Sequence, residues 1–434
     1  MASTIQKILT VNMEKPGYTG SMQDYLHEGG YTALPKAFKE YEPQEIVEEV
    51  KKSGLRGRGG AGFPTGIKWG FIPKDGTKPV YLICNADESE PGTFKDRALM
   101  ERDPHMVLEG CLISGYAIGA HVTYVYVRGE FVYPAEVLER AIAEARAAGY
   151  IGKNILGSGF DHEIYVHRGA GAYICGEEMG LIESLEGKRG WPRLKPPFPA
   201  VEGLFRCPTI VNNVETLANI PFIVNHGGGV FADIGVPRSS GTKLFCVSGH
   251  VCKPGLYEFP MGITLRELLY DHCGGIRKGH VLKGVIPGGS SFPILTPDEV
   301  DVKMDFESVK EYGSGLGSAG IIVMDETTCM VDACLNLAKF YAHESCGQCT
   351  PCREGMPWIR DILDRIEHGK GEMDDIDTLW DITRMIEGRT ICPFGEAGAW
   401  PVQGFLKKFR HEFEEHVRLG YCPIKKQYKA QAVI

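Results

Sequence analysis

Cys346, Cys349 and Cys352 form a C-x-x-C-x-x-C run inside the stretch from Glu344 to Gly355. One tight segment with that spacing presents three sulfurs to one small object. Structural zinc is built from two separated pairs, so three thiols in series fit it poorly. A cubic four-iron cluster takes one thiolate per iron, and one loop can supply three corners. In the bacterial ferredoxin run the next Cys stands four residues on, where this chain has Met356. The fourth sulfur must come from elsewhere. Cys392 and Cys422, each followed by Pro, are the downstream candidates. Gly347, Pro351 and Gly355 predict a loop, where thiols of the ordinary core kind are unusual.

Two glycine-rich stretches carry a second kind of chemistry. Gly57, Gly59 and Gly62 match G-x-G-x-x-G. A dinucleotide fingerprint should follow a strand, however, and this one follows a predicted helix, Pro43–Lys52, so an ordinary Rossmann reading is rejected. The local physics survives: glycines let backbone N–H groups approach a phosphate or a flat ring, with Arg56, Arg58 and Lys68 nearby. The plain alternative is a flexible surface loop. The second stretch, Gly169 to Glu178, sits between a predicted strand, Glu163–His167, and a helix through Leu181, Ile182 and Leu185. Its helix N-terminus could face a phosphate, and Glu177 and Glu178 could equally be helix caps.

Between these lie Val80–Ile83, a predicted buried parallel strand, and an acidic tip holding Asn85, Asp87, Glu88 and Glu90. Ligands of open α/β sheets bind beyond the carboxyl ends of strands, which favours binding over a solvated turn. Arg193, Lys195 and Phe198 mark a basic, proline-stiffened loop that could clamp a nucleotide or merely turn a corner.

The elements that must position these groups fall into four blocks. Residues 1–40 read as an N-terminal extension and 41–240 as an α/β domain. Residues 241–328 read as a small α+β domain of ubiquitin-like order, without chemistry of its own. Residues 329–434 read as four amphipathic helices and a basic tail. The cysteine run joins the first two of those helices and Cys392 the last two. Antiparallel packing then returns Cys392 to the same end, and Cys422, beyond the fourth helix, is the poorer ligand. Gly110 to Val127 has no charged residue, but a buried helix followed by a core strand explains it better than a membrane span.

Composition agrees with a soluble globular chain: 434 residues, 43% hydrophobic and 24% charged. A net charge of −9 argues against nucleic acid as a partner. Fourteen Cys with no secretory signal over Met1–Thr10 point to a reducing compartment.

Taken in order, the blocks from Arg56 to Trp69, Asn85 to Gly92, Gly169 to Glu178 and Lys195 to Pro199, then Asn212-Asn213 and the cysteine run, resemble the NADH-binding flavoprotein subunits of respiratory complex I. One departure is Met179-Gly180, where that family usually reads Thr-Ala. The resemblance implies an atypical Rossmann-like FMN- and NADH-binding domain, an SLBB-type domain over 241–328 and a [4Fe-4S] bundle. It implies FMN held by Gly59, Gly60, Lys68, Asn85, Asp87, Tyr173, Gly176, Glu177, Asn212, Asn213 and Thr216. NADH would meet Phe63, Phe71, Glu90, Glu178, Lys195 and Phe198, and the cluster Cys346, Cys349, Cys352 and Cys392. No side chain is expected to act as general acid or base, because hydride passes directly from NADH to FMN.

The implied setting is the cytoplasmic side of the inner membrane, with no membrane-spanning segment. The implied neighbours are a thioredoxin-like [2Fe-2S] subunit and a larger multi-cluster subunit, with a membrane arm reached only through them. Two other classes stand beside this one: the diaphorase component of an NAD-linked hydrogenase or formate dehydrogenase, and a non-enzymatic scaffold with structural zinc.

Overall fold

A computed structural model describes residues 7–431. The expectations placed on residues 1–6 and 432–434 lie outside the described residues. The described chain divides into two compact units, 7–89 with 94–245 and 256–263, and 90–93 with 246–255 and 264–431.

The first unit is built on a parallel sheet: β1 Val80–Ala86, β2 Ala120–Val127, β3 Glu163–Arg168 and β4 Thr209–Asn213. The strand order is β3-β2-β1-β4, parallel throughout. Apolar, β-branched and aromatic runs make these strands, and Leu82, Ile83, Cys84 and Val125 to Val127 are buried. The helix Pro104–Ile118 carries the charge-free run expected to be a core helix, and all of it but Tyr116 is buried. From β1 the chain steps outward to β2 and β3, then returns to the other side of β1. The direction of winding therefore reverses between β1 and β4. Open α/β sheets bind ligands in the crevice at such a reversal, beyond the strands' carboxyl ends. A short antiparallel ribbon, β5 Gly235–Val236 with β6 Ser239–Ser240, closes this stretch.

Residues 7–40 are more than an appendage. They form the helices Met22–His27 and Ala33–Glu40, and Ile8, Leu9, Tyr25, Tyr31 and Leu34 belong to the unit's core. Two buried carboxylates hold this segment. Glu109 accepts from the Tyr25 hydroxyl and from Tyr31 and Leu34 N–H. Glu258 accepts from the N–H groups of Ile8, Leu9 and Thr10. Both anchors are acids far along the chain, so local periodicity gave no sign of them.

β7 Thr242–Gly249 runs on into the second unit, and β8 Gly255–Pro260 follows it. In the second unit β10 Gly320–Asp325 pairs parallel with the end of β7 and antiparallel with β9 Leu282–Ile286. Next come the helices Met330–Glu344, Thr350–Glu367, Met373–Ile386 and Phe394–Leu419, whose apolar stripes pack on one another. Within the expected basic tail a further helix forms, Pro423–Gln431. Cys422 is buried just before it, and the helix's Lys425 pairs with Glu367 and Asp332. No helix among the described residues is long and apolar enough to cross a membrane.

Candidate functional site

The reversal between β1 and β4 is where most of the sequence-predicted FMN residues converge. At the end of β1, Asn85 donates from Nδ2 to Gly176 O (2.9 Å), and its Oδ1 accepts from Asp87 N–H. A Cβ at Gly176 would stand 3.4 Å from Asp87 O, so the second glycine turn lies directly on the acidic tip. At the end of β4, Asn212 Oδ1 accepts from Trp69 Nε1 (2.8 Å). The adjoining Asn213 side chain caps the helix Val214–Ala218.

The first glycine loop reaches the same place from the other side. A Cβ at Gly59 would meet Asn213 Cβ at 3.0 Å, and Arg58 N–H donates to Thr216 Oγ1 at 2.8 Å. A side chain at position 59 would press on Asn213, so glycine favours this close approach. Gly60, at φ +138°, has open space where a Cβ would stand. The loop thus comes before β1 in sequence yet lies at β4 in space. That is why the G-x-G-x-x-G pattern fails the usual strand–turn–helix test. Tyr173 lies on the short turn Tyr173–Gly176 between β3 and the helix Glu178–Leu185.

A second layer is ionic. Lys68 Nζ donates to Glu178 Oε2 (2.8 Å) and to Val211 O (2.9 Å). Lys195 Nζ donates to Glu178 Oε1 (2.7 Å) and Glu177 Oε1 (2.9 Å). The other oxygen of Glu177 accepts from Met179 and Gly180 N–H, so this residue is the helix cap weighed as an alternative. Gly180 itself lies close to backbone: a Cβ there would come within 2.7 Å of Ile174 O. Burial alone would raise the Glu178 pKa, but Lys68 and Lys195 outweigh it and hold it at about 2.

The sign of the pH dependence follows. An acid depressed on folding contributes stability that is whole above its unfolded value near 4.5 and is lost as pH falls toward 2. Glu178→Gln should therefore cost on the order of 2–3 kcal/mol at neutral pH and almost nothing near pH 2. Unfolding midpoints across pH 2–7 check this; equal losses at both ends would rule out the lysine pairing as the cause.

Three aromatic side chains expected to meet NADH are half-exposed: Phe63 (48%), Phe71 (52%) and Phe198 (57%). Phe63 and Phe71 lie 6.1 Å apart, centroid to centroid. Glu90 belongs to the second unit, where it accepts from Ser291 N–H (2.8 Å) and the Ser290 hydroxyl.

Behind the crevice lies a set of charges the sequence reading missed. Glu215, fully buried, pairs with Lys243 (2.6 Å) and Lys95 (3.0 Å), and Lys95 with Asp96 (2.8 Å). Asp96 and Lys95 both bond the Asn213 side chain, and Arg58 Nη2 donates to Ser240 O. The one available signal was charged residues set within apolar runs, as at Glu215 and Lys243.

In the second unit the cysteine run does not form one loop. Cys346 and Cys349 precede the helix Thr350–Glu367, and Cys352 is in its first turn and buried. Pro351 lies at the start of that helix, where its missing N–H costs nothing. The segment leading to Cys392 comes to the same end of the bundle. Phe394 packs on Tyr341 (5.8 Å between centroids), and Cβ atoms at Gly398 and Gly355 would meet Met356 and Ile386. None of the four cysteines is in a disulfide, and Gln348 Oε1 between them is buried without a hydrogen-bond partner. Four thiols from two segments at one end suit a four-iron cluster better than zinc. The open glycine backbone at the β1/β4 reversal likewise suits a flavin phosphate or ring.

Comparison with known proteins gives matches along most of the chain. Residues 50–222 match the Nuo51 FMN-binding domain and 243–314 the SLBB domain. Residues 332–416 match the NADH-ubiquinone oxidoreductase-F iron-sulfur binding region. The second F-subunit of the NADH-quinone oxidoreductase of Rhizobium meliloti is 56% identical over 93% of this chain and 96% of its own. The mitochondrial NADH dehydrogenase [ubiquinone] flavoprotein 1 of Dictyostelium discoideum is 57% identical over 86% of this chain and 79% of its own. Among solved structures, an NAD+-reducing [NiFe]-hydrogenase in the H2-reduced state superposes with TM-score 0.82 at 36% identity. That match covers 96% of this chain and 67% of that one.

Proposed function

The chain belongs to the F-subunit family of NADH-quinone oxidoreductase, and from that premise we propose how its residues carry the family's electron-input reaction. It is an NADH dehydrogenase module with an FMN-binding domain and a [4Fe-4S] region. FMN, when bound, would supply a two-electron acceptor for the hydride of NADH and a one-electron donor toward the cluster. The single observation that carries the site assignment is the convergence of both glycine segments on the β1/β4 reversal.

There Gly59, Gly60 and Gly176 bring bare backbone to the flavin. Asn85 and Asn212 are fixed by Gly176 O and Trp69, and Asp87, Asn213, Thr216 and Tyr173 complete the FMN set. Glu177 caps the helix and holds Lys195. Lys68 and Lys195 keep Glu178 ionised, and Phe63, Phe71 and Phe198 offer exposed rings on which the adenine can stack. Cys346, Cys349, Cys352 and Cys392 hold the cluster. The domain boundaries proposed are 41–240, 241–328 and 329–434: an atypical Rossmann-like domain, a ubiquitin-like SLBB domain and a four-helix bundle. The residues of 1–40 lead into the first.

The proposed setting is a multisubunit complex peripheral to the membrane on its cytoplasmic side. Its neighbours there are a thioredoxin-like [2Fe-2S] subunit and a multi-cluster subunit. The diaphorase alternative rests on the hydrogenase likeness, and the higher identity to the NADH-quinone oxidoreductase relatives, 56% against 36%, favours complex I.

Adding NADH to the isolated protein under anaerobic conditions should bleach the flavin and bring up a cluster EPR signal. Bleaching without that signal would remove the cluster from the path. NADH should be preferred over NADPH by more than about tenfold in kcat/KM, beyond about 1.4 kcal/mol. An ionised Glu178 would disfavour a 2′-phosphate. Equal turnover of the two nucleotides would refute that role, and Glu178→Gln should narrow the gap.

A further inference from the structure

At the other end of the bundle from the cysteine run, four side chains from four segments meet. They are Cys329, Glu367, His416 and Cys422, all buried, with one ligand atom from each lying within 4.8 Å of every other. Cys329 precedes the helix Met330–Glu344, whereas Cys346 lies just beyond its far end. Fifteen residues of helix separate the two groups, roughly 20 Å.

We propose that these four residues form a tetrahedral zinc site distinct from the iron–sulfur centre. The distances are those of a coordination polyhedron. Bonds of about 2.3 Å to sulfur and about 2.0–2.1 Å to nitrogen and oxygen give tetrahedral edges of roughly 3.3–3.8 Å. Cys329 Sγ lies 3.3 Å from His416 Nε2 and 3.5 Å from Glu367 Oε2, and Nε2 lies 3.4 Å from Oε2.

The surroundings orient each ligand. His416 Nδ1 is 2.7 Å from Glu412 O. A carbonyl only accepts, so Nδ1 carries the hydrogen and Nε2 turns a lone pair inward. Each sulfur accepts a backbone N–H at a helix start: Cys329 from Asp332 and Cys422 from Lys425, both at 3.3 Å. Such bonds suit thiolates. Lys425 Nζ lies 2.9 Å from Glu367 Oε1, the oxygen turned away from the sulfurs. Two thiolates and one carboxylate around a divalent cation leave one negative charge, and Lys425, which also pairs with Asp332, lies against it. The soft sulfurs select zinc over calcium or magnesium. Binding releases the two thiol protons to solvent. A cleft of about 350 Å³, lined by Cys329, Asp332 and Lys425 among others, offers the ion a way in.

The test is metal analysis of the full chain carrying its FMN and cluster, after gel filtration in a chelating buffer. One zinc per chain is expected beyond the cluster iron. Zinc-stripped protein given cobalt(II) should show the strong thiolate-to-cobalt absorption of a tetrahedral site. Cys422→Ser and His416→Gln should lose the zinc with iron and FMN unchanged. Lys425→Met should weaken zinc roughly 10–100-fold in a competition titration without changing its stoichiometry. Absence of both retained zinc and the cobalt band in the unaltered chain overturns the proposal. So does a Cys329–Cys422 disulfide in freshly purified protein. The cobalt arm uses the unaltered chain, so a variant that fails to fold cannot decide the question.

Discussion

Replacing Cys392 with Ala should abolish the cluster EPR signal that NADH brings up, while Cys422→Ser should leave that signal unchanged. This outcome follows from where the two sulfurs lie. The Cys392 segment runs into the helix Phe394–Leu419, whose Phe394 packs on Tyr341, five residues before Cys346. Cys422 instead lies with Cys329, at the start of the helix whose far end leads to Cys346. A four-iron cluster left with three thiolates loses one iron's protein ligand and with it the geometry that sets its signal. NADH should still bleach the flavin in Cys392→Ala, because the crevice residues belong to the first unit. Reduction of an artificial one-electron acceptor should therefore persist while electron flow to quinone in the assembled complex stops. A cluster signal that survives in Cys392→Ala but vanishes in Cys422→Ser would reverse the ligand assignment.

The contrast between these cysteines also shows what could be read from residue types alone. The C-x-x-C-x-x-C run is local, and its spacing pointed to an iron–sulfur cluster, though not to the helix that Cys352 occupies. Bringing the Cys392 segment to the same end took one further step, the antiparallel return of amphipathic helices, which periodicity supports. Cys422 does lie beyond the fourth helix, in the basic tail, but that tail's helix and the residues around the sulfur are not visible in the local pattern. Its partners Cys329, Glu367 and His416 are separated from it and from one another along the chain, and no local pattern links them. The first glycine loop behaves the same way. Its composition marked it as a ligand loop, yet its position at β4 depends on Arg58 meeting Thr216, a contact across 158 residues. Residues 7–40 were undervalued because Glu109 and Glu258, the acids that anchor them, lie in other elements. Local patterns reveal periodicity and metal spacing, whereas buried charge pairs become visible only once the chain has folded.

That class of interaction carries the second large effect. Glu215→Ala should cost about 3–5 kcal/mol, because it leaves Lys243 buried without its counter-charge and takes from buried Lys95 one of its two carboxylate partners, Asp96 remaining. Burial alone would raise the Glu215 pKa, but Lys243, Lys95 and Arg58 more than offset it and hold it below its usual value. The carboxylate also accepts Leu244 N–H at 2.9 Å, so its loss strands a backbone donor as well. The damage should spread to the crevice. Glu215 sits between Asn213 and Thr216 in sequence, and Lys95 bonds both Asn213 and Glu215. The fraction of chains that retain FMN should fall together with the unfolding midpoint. A double variant, Glu215→Gln with Lys243→Met, removes one charge of each sign and should recover a large part of the loss. Thermal unfolding followed by flavin fluorescence measures both quantities at once. If Glu215→Ala proves neutral, or the double variant is worse than the single, the buried pair does not support the floor of the crevice.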